Sequence, residues 1–171
     1  AQGKSVAGYD RTKTTLTDDL IAEGMDIHFE DNTKLIPSFF FNKEETLVIF
    51  TPAIPSGHEE LNFFRDNGFK VKKRSEVLGL ITQNHFTVAV AGTHGKTTTS
   101  AIIAHLLNNA EGGCTAFLGG IAVNYKSNLL IATGSNKMVV EADEYDRSFL
   151  TLNPDVAIVT STDPDHLDIY G

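Results

Sequence analysis

Residues 86–91 read FTVAVA, an apolar run too short for a stable helix, and lead through the glycine-bounded loop GTHG into helical spacing from about residue 96 to 110. Strand, glycine turn and helix in that order leave few topologies open. The helix must cross back over the sheet, and the next strand then pairs in parallel. The same rhythm recurs on both sides. Upstream, strands are predicted at residues 4–9, 26–29, 46–50 and 69–72, with helices at 16–23, 58–67 and 75–82; Gly24 and Gly68 act as stop signals. Downstream, strands are predicted at residues 115–118, 128–132, 137–140 and 155–160. The expected architecture is α/β, built of parallel sheets with crossover helices, in two domains at 1–84 and 85–171.

Composition narrows the function classes. Hydrophobic residues make up 41% and charged residues 21%, a balance that supports a packed core rather than disorder. A formal charge of -8 argues against a nucleic-acid-binding surface, which needs clustered Lys and Arg. An anionic ligand is still compatible with that charge where backbone amides and one or two lysines converge. The single cysteine, Cys114, excludes an internal disulfide and fits a reducing cytoplasm. Beside a predicted strand it reads as a small buried hydrophobe. No apolar run approaches the ~20 residues that cross a bilayer. No secretory signal is visible, and the chain starts at Ala1 rather than Met.

The loop itself carries the chemistry. Gly92, Thr93, His94, Gly95, Lys96, Thr97 and Thr98 lie where a strand hands over to a helix, the context in which successive backbone N–H groups and the helix dipole can face a phosphate. Lys96 is placed to meet β- and γ-phosphates, and the Thr97 hydroxyl to ligate a phosphate-bound Mg²⁺. Val90 occupies the place of the first glycine in the G-x-x-x-x-G-K-[ST] pattern, so the loop is a compact variant. A glycine turn with a solvated lysine is the bland alternative. His94 stays open between phosphate and substrate contact.

Two acidic clusters follow later strands. Glu141, Asp143 and Glu144 come directly after the apolar run MVV, and Asp163, Asp165 and Asp168 surround His166 after the run at 156–159. Carboxyl ends of parallel strands line the ligand crevice of such sheets, so Glu141 is the candidate to complete the cation shell begun by Thr97. By composition alone His166 is as readily a solvated histidine as a ligand, since a hard cation prefers oxygen. His28, His58, His85 and His105 lack such company and read as surface or packing residues.

AGTHGKTTT at 91–99, VEADEYDRSFL at 140–150 and TSTDPDHLD at 160–168 together resemble the signatures of the Mur ligase family, the last two most like those of its alanine-adding member. AGYD at 7–10 and TPAI at 51–54 look more loosely like the uridine-binding domain. The resemblance covers nearly the whole chain. It implies a Rossmann-like uridine-nucleotide-binding domain at 1–84 lacking its first strand, then the N-terminal part of a central P-loop ATPase domain at 85–171. It further implies that UDP-N-acetylmuramate and L-alanine are joined with ATP and Mg²⁺, Mn²⁺ being an alternative metal, through an acyl phosphate. Lys96 would hold the phosphates, Thr97 and Glu141 one metal ion, and His166 with Glu141 a second. Asp10 and Thr51 would lie near the uridine nucleotide, and a Gly119–Gly120 turn near the substrate's phosphates or sugar. Ser161 stands where the family usually has asparagine, which weakens the expectation of a polar contact there. The resemblance also implies further sequence at both ends, including a domain that closes over the amino acid, and hence no turnover by residues 1–171 alone.

Two other readings compete. A murein peptide ligase would attach a tripeptide to the same nucleotide sugar, although RSFLTLNP at 147–154 fits the alanine-adding member better. A non-catalytic P-loop module would bind nucleotide without a uridine-sugar site.

Overall fold

A computed structural model describes residues 3–110 and 112–164. The chain forms two compact units, Ala1–Lys73 and Arg74–Gly171.

In the first unit, β1 (Ala7–Tyr9) pairs in parallel with β2 (Asp26–His28), and α1 (Thr15–Ala22) connects them. Local chemistry sets the start of α1: the Thr14 side chain accepts from the Thr17 N–H, while the Thr17 hydroxyl oxygen accepts from the Thr14 N–H. A second parallel pair joins β3 (Leu47–Phe50) to β4 (Lys70–Lys73) through α2 (Glu59–Asp66). Glu59 and Glu60 in the first turn and Arg65 in the last complement the α2 dipole. Ile36, Phe64 and Phe69 form the core, with Phe64 and Phe69 edge to face at 4.9 Å. Two short 3₁₀ turns, Thr33–Leu35 and Ser38–Phe41, fill the connection before β3. Turns of three and four residues carry no periodicity that a sequence displays.

The second unit holds a five-stranded sheet in the order β7-β6-β8-β5-β9. Its strands are β5 (Phe86–Ala91), β6 (Thr115–Ala122), β7 (Ser127–Leu130), β8 (Lys137–Glu141) and β9 (Val156–Val159). Among the described residues its α-helices are α3 (Arg74–Thr82) and α4 (Lys96–Asn108). Val90, Met138, Val139 and Val140 are sealed from solvent, each burial worth about 1.5–3 kcal/mol, so β5 and β8 form the sheet centre. Val139 faces Ala104 of α4, with Cys114, Ala116 and Leu118 beside it. Ala89, Met138 and Val140 face the other way, against Leu78 of α3 and Phe149 and Leu152. The Cys114 thiol reaches the Ala104 carbonyl at 3.4 Å, and burial pushes its pKa up; it is the buried hydrophobe expected.

The expected α/β fold with parallel pairing stands, with one exception. The sheet is not wholly parallel, because β6 and β7 run antiparallel. Residues 123–126 turn too tightly for a crossover helix, with Lys126 at φ 51°. Packing divides the compact units at 73/74, ahead of the expected functional boundary at 84/85, because α3 packs on the five-stranded sheet. Gly79 lies so close to the Thr151 carbonyl that no side chain fits, and the Thr151 hydroxyl donates to the Ser75 carbonyl at 2.9 Å.

Candidate functional site

β5 pairs in parallel with both β8 and β9, and β8 with β6, so the ends of all four strands open on one edge. The loop after β5 sits there. Gly92 has φ +121° and abuts Thr160 and Ser161, and Gly95 at φ +82° is the left-handed N-cap of α4. The residues after β9 strap the loop down. Ser161 accepts from Thr93 N–H at its carbonyl, 3.2 Å, and from His94 N–H at its hydroxyl oxygen, 3.0 Å. The Thr160 hydroxyl donates toward the Ala91 and His94 carbonyls, and Thr93 donates its hydroxyl to the Asp163 carbonyl at 2.8 Å. Ser161, whose departure from asparagine weakened the expectation of a polar contact, makes these contacts within the protein. The Thr93 and His94 amides are also engaged within the protein rather than facing an anion. The first helical bond of α4 runs from Thr99 N–H to the Gly95 carbonyl, which leaves the amides of Lys96, Thr97 and Thr98 without helical partners at the positive end of the dipole.

The Lys96 ammonium donates to the Gly92 carbonyl at 2.8 Å and to Glu144 Oε1 at 2.9 Å. Both side chains of that ion pair are about four-fifths buried, at 17% and 21% exposure. In the sequence Glu144 is one of three clustered acids, and only the fold gives it the lysine. The Thr97 hydroxyl donates to Glu141 Oε2 at 3.1 Å, and Gly119 N–H donates to Glu141 Oε1 at 2.6 Å. Glu141 and Thr97 thus meet as the strand positions suggested. Gly119 and Gly120 are not a turn; they lie within β6, where Gly119 leaves room for the Glu141 carboxylate. A cleft of about 420 Å³ opens beside Thr97, Thr98, Gly120 and Tyr125. His166, the remaining metal candidate, lies outside the described residues. Among the described residues no cluster of three or more His, Cys, Asp or Glu is placed to hold a metal ion. The Thr97 hydroxyl and Glu141 carboxylate are hard oxygen donors, and they fit a Mg²⁺ ion that takes its other ligands from phosphate and water.

In the first unit Asp10 and Thr51 both line a cleft of about 970 Å³. Asp10 Oδ1 accepts from Thr12 N–H at 2.8 Å. The same cleft is lined by two histidines that local sequence left without company. His28 Nε2 lies 2.6 Å from Glu60 Oε1, and His58 Nδ1 lies 3.1 Å from Asp31 Oδ1. His58 Nδ1 is also 3.3 Å from Leu61 N–H, so it donates to Asp31 when it carries a hydrogen and caps α2 when it does not. Asp31 accepts from the Glu59 and Glu60 amides at 2.8 and 3.1 Å. Burial raises the Asp31 pKa, but those two N–H groups and positive charge on His58 and His28 outweigh it and hold the carboxyl below its ordinary 3.8. No local signal announces these pairs, because each joins residues about thirty positions apart. His85 and His105 are outlying, bonded to the Ile81 carbonyl and the Tyr125 hydroxyl. No helix of the described residues is long and apolar enough to cross a membrane.

Comparison with known proteins matches residues 1–86 to the model "Mur ligase family, catalytic domain" and residues 90–171 to "Mur ligase middle domain". A curated UDP-N-acetylmuramate–L-alanine ligase of Flavobacterium johnsoniae is 60% identical over 169 residues, 99% of this chain but 37% of that relative's length. The solved UDP-N-acetylmuramate-alanine ligase of Thermotoga maritima aligns with TM-score 0.82 at 30% identity, over 97% of this chain and 37% of that one. The solved UDP-N-acetylmuramate:L-alanyl-gamma-D-glutamyl-meso-diaminopimelate ligase of Neisseria meningitides aligns with TM-score 0.83 over 99% of this chain and 56% of that one. At 23% identity that likeness concerns the fold.

Proposed function

The chain belongs to the Mur ligase family, and from that premise we propose that the protein carrying it joins L-alanine to UDP-N-acetylmuramate with ATP. Residues 1–84 take the uridine nucleotide and residues 85–171 the ATP, a functional division that the two family matches support although packing divides the chain earlier. The observation that carries the reading is the meeting of Thr97 with Glu141 next to Lys96, at the start of a helix whose first amides lack helical partners. Identity of 60% to a curated alanine ligase supports alanine over the tripeptide.

In this reading the Lys96 ammonium and the amides of residues 96–98 take the β- and γ-phosphate oxygens and align the γ-phosphorus. Thr97 and Glu141 hold Mg²⁺, with His166 and Glu141 proposed for a second ion; Mn²⁺ suits the same donors. The metal supplies neutralisation of the triphosphate charge. The lactyl carboxylate of the nucleotide sugar attacks the γ-phosphorus and ADP leaves, giving an acyl phosphate. The deprotonated amine of alanine then attacks the acyl carbon, expels phosphate and forms the amide. Lys96 answers the main difficulty, the repulsion between a carboxylate and a triphosphate. Asp10 and Thr51 bind the uridine side, Gly119 and Gly120 the muramyl side beside the smaller cleft, and His94 remains a contact to phosphate or substrate. Soluble nucleotide substrates and the lone buried cysteine fit action in the cytoplasm.

Full-length protein incubated with ATP, Mg²⁺, UDP-N-acetylmuramate and either alanine or the tripeptide tests this. The expected product by mass spectrometry is UDP-N-acetylmuramoyl-L-alanine with equimolar ADP. Product with the tripeptide alone assigns a murein peptide ligase. Absence of any heat on titrating UDP-N-acetylmuramate assigns a nucleotide-binding module.

A further inference from the structure

We propose that Glu144 is a positioning residue for Lys96, holding the ammonium across the mouth of the loop until a nucleotide phosphate takes it over. The inference rests on the nucleotide-binding reading above and extends it to a residue that reading does not use. Lys96 has three N–H donors. Two point at the Gly92 carbonyl, 2.8 Å away, and Glu144 Oε1, 2.9 Å away. Gly92 begins the loop that Lys96 ends, so the side chain is folded back over its own loop. Glu144 comes from a different strand end, three residues past Glu141, and heads the 3₁₀ turn Tyr145–Thr151. The ion pair is about four-fifths buried on both sides, which fixes the ammonium more firmly than a surface pair would.

A phosphate arriving at the α4 amides competes with Glu144 for the same ammonium. Glu141, Asp143 and Glu144 also place several acidic groups at the edge where a polyanion must settle. Glu144 therefore sets the threshold for nucleotide entry: Lys96 is prepositioned but is surrendered only to a ligand that binds it better than one carboxylate does. Loss of the Glu144 charge should tighten nucleotide binding through Lys96 while leaving the lysine less well aimed.

The test is a double-mutant cycle on the full-length protein, with ADP titrated calorimetrically into wild type, Glu144→Gln, Lys96→Met and the double variant. The expected result is affinity raised about fivefold by Glu144→Gln, the order of a single ion pair, and no effect of that change when Lys96 is already Met. Equal tightening in both backgrounds would mean through-space repulsion alone and overturns the proposal. Unchanged or weaker binding by Glu144→Gln overturns it too. In parallel, acylation of each lysine by a water-soluble reagent is read by peptide mass spectrometry. Faster modification of Lys96 alone in Glu144→Gln supports the hold on the ammonium, and an unchanged rate sinks it. If wild type binds no ADP, the nucleotide-binding reading fails, and the acylation rates still decide whether Glu144 positions Lys96.

Discussion

The Thr97 hydroxyl lies 3.1 Å from the Glu141 carboxylate although 44 positions separate the two residues. Strand register explains the meeting. Val90, near the end of β5, pairs directly with Glu141 at the end of β8. The loop after β5 then carries α4 back over that strand end, and Thr97 is its second residue.

Lys96→Met should weaken MgATP binding about ten- to a hundredfold, the loss of roughly 1.5–3 kcal/mol for hydrogen bonds to a charged group. Calorimetric titration checks it. An affinity within twofold of wild type would remove Lys96 from the phosphate site.

Gly119→Ala should perturb the cation site more than the fold. The new methyl would overlap the Glu141 carboxylate, the movable end of a flexible side chain, rather than backbone. The expected outcome is a melting temperature close to wild type with a clear rise in the Mg²⁺ concentration that nucleotide binding requires. A titration of Mg²⁺ at fixed nucleotide measures this.

Gly92→Ala should act in the opposite way. Its φ of +121° disfavours a side chain, and the methyl would strike Thr160 and the Ser161 backbone, which cannot swing aside. Backbone strain alone costs about 1–3 kcal/mol, and urea denaturation should register at least that loss. Gly79→Ala should also destabilise by about 1–3 kcal/mol, through overpacking against the Thr151 carbonyl.

Asp31 predicts an acid-side stability change. Its carboxyl pKa is lower folded than unfolded, so its contribution is fully present above the unfolded value near 3.8 and is lost as pH falls through the folded value. Asp31→Asn should remove about 1 kcal/mol, the scale of a helix cap, at pH 6 and little at the acid extreme. Thermal melts of both proteins across that range should converge at low pH. Parallel curves would show that the Asp31 charge contributes nothing.

Most elements could be read from the chain because their signals are local. FTVAVA and KMVVE are apolar strands, Gly24 and Gly68 stop helices, and the loop before Lys96 bears its glycines in the strand-to-helix context. The antiparallel β7, the short 3₁₀ turns and the attachment of α3 to the second unit were not readable, since pairing direction and packing partner depend on residues far away in the chain.

The candidate site divides along the same line. Residue type and order alone make Lys96, Thr97 and Glu141 the candidates, because glycines, an ammonium, a hydroxyl and a carboxylate at the ends of buried strands suit a phosphate with its cation. Only the tertiary structure decides which acid takes which partner: Glu141 goes to Thr97 and the Gly119 amide, and Glu144 to the lysine. Only the fold pairs His28 with Glu60 and His58 with Asp31. The physical reason is range. Backbone preference and hydrophobic period act over a few residues, whereas an ion pair is settled by which strand ends the sheet brings within about 3 Å.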